Sequence, residues 1–145
     1  MKIRPICLKD LPQIEEIELS SFPDPYPQLL FETLAAHSPE TFLVAVEEER
    51  IVGYVSAMKE KQRAIHIASI AVHPSYRRRN IARRLMTTLL KTLKGMKVSS
   101  VKLEVRSSNI AAKRFYETLG FTHSKTVKGY YEDGEDAVVM ELAPQ

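Results

Sequence analysis

Between Ala82 and Leu93 the apolar residues Ala82, Leu85, Met86, Leu89, Leu90 and Leu93 recur at alternating intervals of three and one, a spacing that buries one face of an amphipathic helix. A shorter stripe of Leu11, Ile14 and Ile17 predicts an earlier helix, with Asp10 as N-cap and Pro12 in the first turn. The segment "SSFPDPYP" breaks the chain with three prolines, after which "QLLFETLAAH" predicts a second short helix. "NIAAKRFYETLG" predicts a last one, between Asn109 as N-cap and Gly120 just beyond the final turn. Runs of strand length lie at "KIRPI", "TFLVAVEEERIVGYVSAMK", "AIHIASIAV", "SVKLEV", "FTHSKTVKGYY" and "DAVVMEL". The second of these folds back at Glu48 and Glu49, which predicts a hairpin, and the last two close around Asp133 and Gly134. The predicted order is β-α-α-β-β-β-α-β-α-β-β, an α+β (mixed α/β) chain. No linker, repeat or low-complexity segment divides it, so one domain over residues 1–145 is expected.

Composition agrees with that picture. Hydrophobic residues make up 44% and charged residues 27%, ordinary for a globular domain. The single cysteine, Cys7, excludes an internal disulfide and a cysteine zinc cluster, which suits a reducing cytoplasm. Its place in the first apolar run predicts a packed residue. No signal peptide is expected from "MKIRPICLKD", and no run approaches the roughly 20 apolar residues that span a bilayer, so a cytoplasmic protein without a membrane partner is expected.

Charge adds a question. The stretch Tyr76–Arg84 holds five arginines in a chain of formal net charge +3. Nucleic acid and a phosphorylated cofactor both answer to such charge. The arginines follow a strand that ends at Pro74 and precede a helix that starts at Ile81. First-turn amides and the helix dipole favour an anion there.

At this point the sequence resembles the GNAT acetyltransferases, whose acetyl-CoA site reads Arg/Gln-x-x-Gly-x-Gly/Ala. Here it stands as Arg77, Arg78, Arg79, Asn80, Ile81 and Ala82, with Asn80 where the family has its first glycine. Asparagine is the next residue after glycine to accept a left-handed backbone. "LEVRSSNIAAKRFYETLGF" is similar to the family's later strand and helix. "GYYEDGEDAVVMEL" and "FPDPY" are similar to its subgroup that acetylates protein N-termini, including the ribosomal-protein alanine acetyltransferases. The resemblance implies a GNAT fold, a mixed and mostly antiparallel sheet of about seven strands flanked by about four helices. It also implies acetyl-CoA as cosubstrate, no metal, and protein N-termini, ribosomal proteins among them, as partners of a monomer or weak dimer.

The implied reaction asks for a base. An α-amine, with a pKa of about 7.7 to 8.0 against about 10.4 for lysine, asks little of it. On spacing alone Glu104 is an exposed strand carboxylate; the resemblance makes it the base, acting through a water. Tyr116 matches the family's general acid, although it also shares a core face with Ala112, Phe115 and Leu119. Asn109 adds a contact to the pantetheine arm beside its capping role. Ile70, Ala71 and Val72 lend backbone groups to the cofactor, with an amide near Val72 for the oxyanion.

The resemblance also implies an acceptor groove between Phe22, Pro23, Asp24 and Tyr26 on one side and Tyr130 and Tyr131 on the other. Asp24 attracts the substrate ammonium or is a solvated turn carboxylate. His66 offers a second proton path, with a structural histidine the plainer reading. Two alternatives stand. One is an enzyme of the same fold acting on lysine or a small amine. The other, disfavoured because aromatics do not interleave with the basic residues, is a nucleic-acid or ribosome-binding module using the arginines with Lys91, Lys94 and Lys97.

Overall fold

The computed structural model describes residues 1–143. Its elements keep the predicted order: β1 (Lys2–Pro5), α1 (Leu11–Ser21), α2 (Gln28–His37), β2 (Phe42–Glu47), β3 (Arg50–Lys59), β4 (Ala64–Val72), α3 (Ile81–Gly95), β5 (Ser100–Arg106), α4 (Ile110–Thr118), β6 (Thr122–Val127) and β7 (Ala137–Leu142). The seven strands hydrogen-bond in the order β1-β2-β3-β4-β5-β7-β6. β4 pairs with β5 in parallel, whereas β1 with β2, β2 with β3, β5 with β7 and β7 with β6 are antiparallel. Among the described residues no helix is long and apolar enough to cross a membrane. The described chain packs as two compact units, Met1–Lys59 with Ile67–Met96, and Glu60–His66 with residues 97–143.

In the first unit, Ile14, Phe31, Phe42, Val44 and Tyr54 are wholly buried, and the rings of Phe31, Phe42 and Tyr54 meet one another within 6.3 Å. α3 buries Ile81, Leu85, Met86, Leu89 and Leu93. Each such side chain contributes about 1.5–3 kcal/mol of apolar transfer. Ala82 and Leu90, expected in the stripe, are only half-buried, and Ile81 joins the buried face instead. Glu48 and Glu49 turn the β2–β3 hairpin with φ of 48° and 67°, the left-handed pair that a two-residue turn needs.

Two details depart from expectation. Asp10 precedes α1 as predicted, yet its carboxylate accepts from Arg4 at 2.7 Å and the Cys7 amide at 2.8 Å rather than capping the helix. Cys7 is exposed, since β1 ends at Pro5 and the chain leaves the sheet before reaching it.

In the second unit, β5 buries Val101, Leu103 and Val105 and turns Lys102, Glu104 and Arg106 to the half-buried face, as alternation requires. α4 starts with the Asn109 side chain accepting from the Ala112 amide at 3.1 Å. It ends with the Gly120 amide on the Glu117 carbonyl and the Phe121 amide on the Tyr116 carbonyl. This closing pattern wants a left-handed residue, which Gly120 supplies at φ 98°. β6 stops at Val127, so Tyr130 and Tyr131, expected on a strand, lie in the loop that carries Gly134.

Candidate active site

The arginine-rich loop belongs to the first unit. Past Val72 the His73 amide donates to the Val52 carbonyl at 2.8 Å, and a short turn over Pro74–Tyr76 follows. Arg77 donates from Nε to the Val72 carbonyl at 3.3 Å, and Arg79 lies over the Tyr76 ring at 5.1 Å. Arg78 and Asn80 both take left-handed backbone, φ 65° and 60°. Asn80 thus supplies the conformation expected of the family's glycine. The first helical bond of α3 runs from the Arg84 amide to the Asn80 carbonyl at 3.0 Å, and the Asn80 side chain makes no cap hydrogen bond. The amides of Ile81 and Ala82 therefore stand ahead of the first helical bond, in the most cationic stretch of the chain.

Gly53 seats this helix start. A Cβ there would stand 3.2 Å from the Ala71 carbonyl oxygen, 3.2 Å from Ile81 and 3.3 Å from Leu85. Along β4, Ala71 is buried while His66, Ile70 and Val72 share the half-buried face.

The proline-broken loop is held by a group that sequence reasoning missed. Glu18, 2% exposed on α1, accepts from the Tyr54 hydroxyl, from the Ser69 hydroxyl at 2.7 Å and from the Tyr26 amide at 3.0 Å. Burial, and then the charge of Glu18, pushes the Tyr54 hydroxyl far above the ordinary tyrosine range. Tyr26 is half-buried with its ring edge-on to Phe31 at 6.4 Å, Phe22 is half-buried, and Pro23 and Asp24 are exposed. The available signal was position: Glu18 stands four residues after Ile14, on the helix's apolar stripe.

The second unit joins two predicted residues from different strands. His66 on β4 and Glu104 on β5 meet with Nε2 and Oε1 2.6 Å apart, their side chains 13% and 15% exposed. Glu60 lies 3.9 Å from the other ring nitrogen and also pairs with Lys102 at 3.3 Å. A half-buried carboxylate sharing a proton with an imidazole is a general-base arrangement.

Tyr116, 8% exposed, is the one buried residue of α4, and Phe115, expected beside it in the core, is half-buried. Burial, and secondarily Tyr131, pushes its hydroxyl above the tyrosine range. Among the described residues that hydroxyl makes no hydrogen bond.

Arg106, also unforeseen, fixes the tyrosine loop. Its guanidinium stands over the Tyr131 ring at 4.1 Å and reaches Asp133 at 2.8 Å and Glu135 at 2.9 Å. Hydrogen bonds from Ser108 and then from Arg106 hold the Glu135 carboxyl down at about 2. Tyr130 packs edge-on to Tyr131 at 5.0 Å. A cavity of about 690 Å³ over α4, β6 and β7, lined by Lys113, Arg114, Glu117 and His123 among others, contains none of the expected site residues. Among the described residues no group of three or more His, Cys, Asp or Glu is placed to hold a metal ion.

Known proteins match along most of the chain. The model of the acetyltransferase (GNAT) family matches residues 11–121. An uncharacterized N-acetyltransferase of Methanocaldococcus jannaschii is 39% identical over 145 residues, covering 97% of this chain and 90% of that one. An N-alpha-acetyltransferase of Saccharolobus solfataricus is 36% identical over 150 residues, covering 95% and 90%. Among solved structures, the ribosomal-protein-S18-alanine N-acetyltransferase of Escherichia coli superposes with a TM-score of 0.87 at 28% identity, covering 98% of this chain and 92% of that chain.

Proposed function

We propose that this chain, which belongs to the GNAT acetyltransferase family, is a single N-acetyltransferase domain over residues 1–145 that acetylates the α-amino group of protein N-termini in the cytoplasm. The observation that carries the reading is the 2.6 Å contact of His66 with Glu104. An α-amine must lose a proton before it attacks, and this pair takes it, directly or through one water, with Glu104 as the base and His66 as its partner. Names of relatives that act on N-termini support this choice of acceptor.

Acetyl-CoA, when bound, supplies an acyl carbon whose bond to sulfur is exchanged for one to nitrogen. The residues present suit it: the open amides of Ile81 and Ala82, the turn through Asn80 and the charges of Arg77, Arg78 and Arg79 favour a pyrophosphate. Ile70, Ala71 and Val72 lend backbone groups, and Asn109 keeps its side-chain NH2 for a further contact while its oxygen caps α4. Tyr116 holds its proton at any working pH, because burial disfavours the phenolate, and offers it to the leaving sulfur. Phe22, Pro23, Asp24 and Tyr26 in one loop, and Tyr130 and Tyr131 in the other, receive the peptide, each loop fixed by its own anchor.

The test pairs acetyl-CoA with two peptides, one blocked at the α-amine and one at its lysine. Mass spectrometry should find label only where the α-amine is open. Label solely on lysine transfers the chain to the side-chain acetyltransferases of the same fold.

A further inference from the structure

We propose that Arg50 and His73 form a subsite for a phosphate monoester, beside the arginine-rich loop but apart from its helix start. Arg50 opens β3, and its Nη2 stands 3.1 Å from Nε2 of His73, 23 positions along the chain. The other ring nitrogen, Nδ1, accepts the Ser75 amide at 3.1 Å. Both neighbours can only donate. A neutral imidazole has one bare nitrogen, so in either tautomer a ring N–H faces another N–H, and in the protonated ring both nitrogens do. The turn over Pro74–Tyr76 holds the Ser75 amide on Nδ1, which leaves the ring proton on Nε2 and the conflict on Arg50. The corner has one donor more than its own atoms can accept.

An outside acceptor resolves the conflict. Two nitrogens 3.1 Å apart can both donate to a single oxygen about 2.9 Å from each, with the Ser75 bond left as it is. Because Arg50 is a charged donor, an oxyanion there makes stronger hydrogen bonds than a water. The hairpin does not supply one. Glu47 is the cross-strand neighbour of Arg50, yet its carboxylate lies 3.9 Å from the N-terminal ammonium and makes no bond to the guanidinium. Unpaired cations elsewhere, such as Lys61 and Lys125, have no polar side-chain contact among the described residues, whereas Arg50 is aimed at a donor. That opposition, and not the charge alone, marks the place.

The surroundings favour a phosphate over a carboxylate. His73 meets the Tyr76 ring edge-on at 5.7 Å, and Arg79 lies over that ring, so two guanidiniums flank the pair. Among the described residues no carboxylate bonds to any of the four. A phosphate monoester brings a charge of about −1.5 to −2 near pH 7, against −1 for a carboxylate. Two sources carry that group: acetyl-CoA has one on its ribose, besides its pyrophosphate, and a separate phosphorylated ligand has its own. Only the first rests on the proposed function.

Imidazole nitrogen–proton correlations of the whole chain, recorded as inorganic phosphate is added, test the corner. The His73 ring signals should move and saturate. Arg50→Gln should weaken that response about tenfold, the loss of one charge-assisted hydrogen bond, whereas Lys125→Gln, which removes the same charge elsewhere, should respond as wild type does. An unchanged amide spectrum shows that each variant folds. The subsite is overturned if the His73 ring ignores phosphate, if Arg50→Gln responds as wild type does, or if Lys125→Gln weakens the response equally. Calorimetry then identifies the source. A preference of about tenfold for CoA over dephospho-CoA in wild type, falling below about twofold in Arg50→Gln, assigns the monoester to the cofactor; equal affinities in wild type, with the phosphate response intact, assign it to a separate ligand. Failure to acetylate any amine would remove the proposed function and leave the phosphate response standing.

Discussion

Glu18 and Glu104 are the same side chain in two settings. Glu18 is sealed in the first unit and receives three donors, from β3, β4 and the proline-broken loop. Glu104, in the second unit, has one partner among the described residues, the His66 ring, and keeps 15% of its side chain open. A carboxyl whose lone pairs are filled fixes the groups around it. One with lone pairs to spare, beside an imidazole and within reach of solvent, is available to take a proton. The tyrosines repeat the contrast. Burial raises both hydroxyls, yet Tyr54 is committed to Glu18 while Tyr116 has no hydrogen bond among the described residues.

The contrast breaks most readily at Glu18. Glu18→Ala strands three donors at about 1–3 kcal/mol each and should cost about 4 kcal/mol, lowering the thermal midpoint by roughly 10 °C. A loss under about 1 kcal/mol in a denaturant titration would deny the cluster its structural role. Glu104→Gln should leave the melt unchanged and lower turnover about 100-fold, with the deficit greatest at low pH. Wild-type turnover in that variant would place the base elsewhere.

Exchanging the tyrosines sharpens the comparison on a smaller scale. Tyr54→Phe should cost about 1–3 kcal/mol of stability with kcat intact. Tyr116→Phe should lower kcat about tenfold with acetyl-CoA affinity and stability held. If both variants lose the same property, the division between filled and unfilled groups fails. A fourth test uses Glu135, a half-buried anchor set against the buried Glu18. Its carboxyl is held at about 2, below its ordinary 4.5, so its support for the tyrosine loop is complete above pH 4.5 and fades as pH falls toward 2. Amide signals of Tyr131–Asp136 should move through that window; signals that stay fixed would mean that Arg106 and Asp133 suffice.

Local chemistry made much of this legible. The stripe of α3 (save Ala82 and Leu90), the cap at Asn109, the close at Gly120 and the Glu48–Glu49 turn each depend on neighbours within a few residues, and each lies where the sequence placed it. The left-handed turn at Asn80 was legible for the same reason. Long-range partners were not. His66 and Glu104 are 38 positions apart, and only the register of β4 on β5, His66 opposite Lys102, brings them together. Tyr54 and Ser69 looked like ordinary strand residues until Glu18 supplied their acceptor. Cys7 was misplaced because an apolar run does not announce where its strand leaves the sheet.

The turn through Asn80 has a consequence for the thermodynamics of binding. Glycine would reach the same left-handed well without strain but would wander among many others when the site is empty, whereas asparagine narrows those choices beforehand. An ordered loop surrenders less freedom when an anion arrives. Asn80→Gly should therefore bind acetyl-CoA up to about fivefold more weakly, equivalent to about 0.4–1 kcal/mol, with calorimetry showing the loss in entropy and not in heat. In place of the family's suppleness, this chain carries a loop that is stiff in advance.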